Sequence, residues 1–101
     1  MKIEDVINKL EREKNSTRFA YLARVCQEHF GRERVKGSHH IFKTPWPGDP
    51  RINLQKVKGN AKPYQVEQVI QALLKLQEMQ EARKKQEMEQ KKKKGERHVA
   101  E

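Results

Sequence analysis

The hydrophobic period of this chain changes from helical to alternating near Arg32 and returns to helical at Pro63, and that double change most limits what it can fold into. Ile3, Val6, Ile7 and Leu10 recur at helical spacing, which predicts an amphipathic helix over 3–13 with one narrow apolar face. Lys14-Asn15-Ser16-Thr17 interrupts that pattern. Ser16 or Thr17 is expected to accept from the free amides of a second helix over 17–30, whose stripe is Phe19, Leu22, Ala23, Cys26 and Phe30. Gly31 should close that helix in the left-handed region. Arg34-Val35-Lys36, 39–44 and 51–55 then read as three short strands of an antiparallel sheet. Three prolines in 45–50 make the connection between the second and third strands stiff, with Pro47-Gly48 at the centre of a tight turn. Trp46 is expected to anchor that loop, with stacking on a base as the alternative. Pro63 takes a first-turn position, and Val66, Val69, Ile70, Leu73 and Leu76 or Gln77 supply the buried stripe of a long final helix, widened by Leu74. Beyond Gln77 the stripe fades into charge, so the helix should run into solvent and lose order by about Gly95. The expected fold class is α+β: an extra helix in 1–14, a helix–three-stranded antiparallel sheet–helix domain in 15–78, and a lysine-rich, partly disordered extension in 79–101.

One small domain is what 101 residues with 34% hydrophobic and 37% charged content can support. No apolar run approaches the roughly 20 residues that span a bilayer, and Met1-Lys2-Ile3-Glu4-Asp5 does not begin a signal peptide. A single cysteine, Cys26, forms no internal disulfide, which fits a reducing compartment, so the expected location is the cytoplasm. The net charge of +9 is unevenly placed. Residues 1–30 carry six Lys/Arg against five Asp/Glu, 31–62 eight against two, 63–78 one against two, and 79–101 eight against five. The +6 of residues 31–62 points to a polyanion, and nucleic acid is the favoured one.

That basic segment contains Gly37-Ser38-His39-His40-Ile41-Phe42. Imidazole both takes and gives protons near neutral pH, so adjacent histidines among cations point to phosphodiester chemistry, although a histidine pair is more often structural. Alternation puts His39, Ile41 and Lys43 on one face of the strand and His40, Phe42 and Thr44 on the other. Either Ile41 or Phe42 is the core member. With Ile41 inward, His40 and Phe42 stand on the open face as an acid–base group beside a platform for an unstacked base. With Phe42 inward, Phe42 is core and His39 is the exposed histidine. Gly37 and Ser38 offer a bend, a hydroxyl and an unhindered amide suited to a phosphate. Cys26, His29, His39 and His40 lack the paired spacing of structural zinc, and neither a metal nor a cofactor is expected. Walker, dinucleotide-fingerprint and nucleophilic-serine motifs are absent.

A helix ending in Phe30-Gly31, a basic strand, Gly37-Ser38-His39-His40-Ile41-Phe42, a third strand and Lys62-Pro63-Tyr64-Gln65-Val66 opening an apolar helix together resemble the HicA family of toxins from bacterial toxin–antitoxin pairs, over about residues 16–77. The resemblance implies a fold like the double-stranded RNA-binding domain and an endoribonuclease that cleaves mRNA, held in check by a HicB-like antitoxin. It implies that His40, which ends the Gly-Ser-x-His motif, is catalytic and faces outward with Ile41 inward. Arg34, Lys36, Gly37, Ser38, His39, Phe42, Lys43 and Arg51 are then the expected RNA-binding residues. The extra first helix, the proline-rich loop and the lysine-rich tail depart from the family pattern. Two further expectations accompany this one. A module that grips RNA without cutting it would carry the same charge and strands. An acidic partner protein would find the same basic face, and the tail would add nonspecific RNA affinity.

Overall fold

Local sequence signals become six elements in the order α1 (Ile3–Arg12), α2 (Phe19–Phe30), β1 (Arg34–Lys36), β2 (His39–Phe42), β3 (Ile52–Gln55) and α3 (Pro63–Ala100). The structure, a computed structural model, describes the backbone of residues 1–46 and 51–100 and the side chains of 1–46 and 51–89. The expected Pro47-Gly48 turn lies outside those residues. The architecture is α+β, with three helices and one antiparallel sheet in the order β1-β2-β3. One face of the sheet is covered, by α2 against β2 and α3 against β3, while α1 packs on α3.

The predicted stripes meet in a single core, except that Ile3 and Phe30 are only partly buried while Val25, outside the predicted stripe, is fully buried. Val6, Ile7 and Leu10 of α1, Phe19, Leu22, Val25 and Cys26 of α2, Phe42, Ile52 and Leu54 of the sheet, and Val66, Val69, Ile70 and Leu73 of α3 are all buried. Thus α1 belongs to the same packed body as residues 15–78. Lys14 Nζ, in the α1–α2 connection, reaches Glu67 on α3 at 2.6 Å. Trp46 is an anchor: its ring meets Phe30 edge-on at 6.1 Å, and Lys75 Nζ lies 4.8 Å from its centroid.

The entry to α2 differs from expectation. Neither Ser16 nor Thr17 caps it; the N-cap is Arg18, and Thr17 Oγ1 instead donates to the Glu13 carbonyl at 2.7 Å. The loop after β3 supplies what the side chains do not, because the Phe19 amide donates to the Gly59 carbonyl at 3.0 Å and the Ala61 amide to the Thr17 carbonyl at 2.7 Å. Gly31 closes α2 at φ 91° and ψ −152°, a combination open only to glycine, and its amide bonds the Gln27 carbonyl.

α3 begins as predicted at Pro63. Gln65 Oε1 accepts from the Lys62 amide at 3.4 Å, the returning half of a capping box. The same buried side chain donates from Nε2 to the Gln55 carbonyl at 3.0 Å, and Gln68 Oε1 accepts from the Asn53 amide at 3.0 Å. Asn53 and Gln55 are the β3 residues whose backbone groups turn away from β2, so α3 closes that edge of the sheet. The opposite edge is different: Arg34, Val35 and Lys36 are all exposed. α3 extends past Gly95, where the sequence pattern puts the end of order, to Ala100. Its Gln, Glu, Lys, Ala and Met content has high intrinsic helix propensity, which sustains a helix after the buried stripe has stopped.

Candidate functional site

The hairpin that carries the two histidines turns on Gly37 and Ser38 alone. Gly37 has φ 62°, which a two-residue turn with glycine first requires. The turn sets the register Lys36↔His39, Val35↔His40 and Arg34↔Ile41, and the Lys56 amide extends the pairing by donating to the Ser38 carbonyl at 2.7 Å. β3 continues the rows as Gln55, Leu54 and Asn53, with Ile52 opposite Phe42. Val35, His40, Phe42, Ile52 and Leu54 therefore share the helix-covered face. Arg34, Lys36, His39, Ile41, Asn53 and Gln55 share the open one.

This register corrects the implied orientation. Phe42 is the inward residue, 0% exposed, and Ile41 is on the open face. A benzyl group fills the space between sheet and helices, so Phe42 is core and offers no platform to a base. His40 consequently faces the helices rather than the open side. It lies next to the uncovered edge strand, where Val35 of the same row remains 55% exposed, and its own side chain keeps 16% exposure.

Three side chains define the surroundings of His40. Its Nδ1 lies 2.7 Å from Glu33 Oε2, and its ring meets Phe19 of α2 edge-on at 5.4 Å and 68°. Gln27 of α2 lies close enough to Glu33 to favour its charged form. The hydrogen bond to His40 holds the Glu33 carboxyl below its usual range; burial opposes it, and Gln27 adds a smaller lowering effect.

Glu33 also lines an open depression of about 460 Å³, together with Phe30, Arg32, Arg34, Ile41, Lys43 and Arg51. Three of the expected RNA-binding residues, Arg34, Lys43 and Arg51, thus meet around one hollow, and Arg32 joins them. Four cations and one carboxylate thus line the same depression, a charge pattern of the kind that can accept a phosphate. Lys36 and His39 lie apart, at the hairpin end of the open face, where His39 Nδ1 is 3.0 Å from Asn53 Oδ1. Gly37 and Ser38 form the turn itself.

Sequence reasoning did not single out Glu33, Arg32, Gln27 or Phe19 as site residues. For Glu33 a signal was present: it is one of two acids among the eight cations of residues 31–62. Cys26 is buried in the core, and burial pushes its thiol up to about 12. Among the described residues no three His, Cys, Asp or Glu side chains gather as a metal site, and no helix is long and apolar enough to cross a membrane. Comparison with protein-family models, curated proteins and solved structures returns no match to the chain.

Proposed function

We propose that this protein is a cytoplasmic endoribonuclease of the HicA kind, with a fold like the double-stranded RNA-binding domain, and that His40 is its catalytic residue. One observation carries the reading: Glu33 is shared between the imidazole of His40 and a depression ringed by Arg32, Arg34, Lys43 and Arg51. An acid–base group is thereby tied to a site for phosphate. In the proposed step His40 takes the proton of a ribose 2′-hydroxyl, the 2′-oxygen bonds to phosphorus, and the bond to the 5′-oxygen breaks. The departing oxygen takes a proton from the imidazolium or from water. The products are a 2′,3′-cyclic phosphate and a 5′-hydroxyl, and the cations neutralise the extra charge on the phosphoryl oxygens.

A single acid–base histidine is worth about 10²–10⁴ in rate. His40→Ala should lose that much cleavage of a long mRNA in EDTA while the far-UV spectrum stays unchanged; full activity in that variant would refute the assignment. A DNA strand of the same sequence should remain intact, since it has no 2′-hydroxyl.

The second reading, an RNA-binding module without chemistry, is favoured by the placement of Arg34 and Lys36 on the open face while His40 lies on the covered one. Retention of RNA without fragments from the wild-type protein would establish that reading instead. Under either reading an acidic HicB-like antitoxin would occupy the basic surface. A complex that left His40 and Lys43 exposed would count against direct occlusion.

A further inference from the structure

We infer that Glu33 is the positioning residue of this site: it holds the proton of His40 on Nδ1 and leaves Nε2 as the nitrogen that acts on RNA. The inference rests on the proposed reading of His40 as catalytic.

Geometry assigns the tautomer. An ionised carboxylate only accepts hydrogen bonds, so the hydrogen in the 2.7 Å contact belongs to Nδ1, and a neutral imidazole then has its lone pair on Nε2. The contact is as short as charge-assisted bonds are. Glu33 stays ionised across the neutral range because its carboxyl is held below the usual value. Both supports come from one helix. Phe19 meets the ring edge-on, and Gln27, eight residues further along α2, favours the charged form of the carboxylate.

Phosphate binding does not account for Glu33. A negative charge in the wall of a depression with four cations repels the phosphate that the cations attract. A carboxylate there weakens the grip on RNA, so its contribution has to be made through His40. This gives the two kinetic constants opposite signs on removal. Glu33→Gln should bind RNA at least as tightly as wild type, with KM unchanged or lower, while kcat falls. The fall should be at least about 10- to 100-fold, the range for losing a carboxylate that orients a metal-bound histidine.

Three measurements decide it. The first is the ¹⁵N signature of the His40 ring at neutral pH, which should show protonated Nδ1 and unprotonated Nε2 in wild type and a mixture of tautomers in Glu33→Ala. The second is the split between KM and kcat in Glu33→Gln. The third is the same substitution placed on His40→Ala, where it should have no further effect on turnover. An unchanged ring signature in Glu33→Ala overturns the inference without any assay of cleavage. A wild type that cuts RNA and a Glu33→Gln that cuts equally fast overturn it while leaving His40 in place. A wild type that leaves RNA whole overturns the enzymatic reading and this inference together.

Discussion

His29 shows how one side chain can tie stability to pH. Its ring is 11% exposed at the end of α2, and Nε2 has no hydrogen-bond partner, the Glu28 carboxylate being 3.8 Å away. Burial lowers its proton affinity below the ordinary 6.5, with Glu28 offsetting part of the effect. The folded state therefore prefers neutral His29. Stability should be full above pH 6.5 and fall as pH drops below it toward the lower folded value. Urea midpoints measured from pH 7.5 to 5 should show that decline, and His29→Met should flatten it. Glu33 acts in a lower window: its contribution is present above 4.5 and is lost as the pH falls through its depressed folded value. The histidine pair marks the limit of what residue patterns convey. Alternation separates His39 from His40, but with Ile41 and Phe42 both apolar the strand has two acceptable faces, and a shift of one residue exchanges them. Only the fit of Phe42 against α2 and α3 decides. Glu33 was harder still, because its contact with His40 crosses between strands and depends on the hairpin register.

At the scale of elements, the stripes of α1, α2 and α3 were readable because each needs only its own periodicity. Loops that bond to distant segments were not: the cap of α2 comes from Gly59, some forty residues downstream in the chain. The docking of α3 on β3 gives a direct test. Gln65 is buried and serves both the Lys62 amide and the Gln55 carbonyl, so Gln65→Ala leaves two backbone groups without partners. The expected loss is about 1–3 kcal/mol, read from a denaturant midpoint. Tyr64, the neighbouring exposed residue, is the control, and Tyr64→Ala should change stability by no more than about 0.5 kcal/mol. In the sheet, Leu54→Ala removes a fully buried side chain beside His40 and should cost about 2–5 kcal/mol.

For the whole molecule, the last buried hydrophobic of α3 among the described side chains is Leu76, while Met79, Gln80 and Arg83 still line a hollow with His29, Phe30 and Lys43. A stop after Glu78 would strip that hollow, so the clean cut is after Lys84. It removes six Lys/Arg and four Asp/Glu. Stability and cleavage at saturating RNA should be unchanged, and the salt dependence of RNA affinity should become shallower by about 0.7 for each phosphate that the shortened chain no longer neutralises. A truncated protein that unfolds would show that the far part of α3 is held by the body. The closure of β3 by Gln65 and Gln68 has a different consequence, for growth. A sheet with one margin shut can be lengthened from the other side only. Any chain that joins this one by strand pairing has to enter as a fourth strand at β1, about 4.8 Å beyond Val35. Self-association through the sheet would therefore extend, outward from Val35, the row that already holds His40 and Leu54.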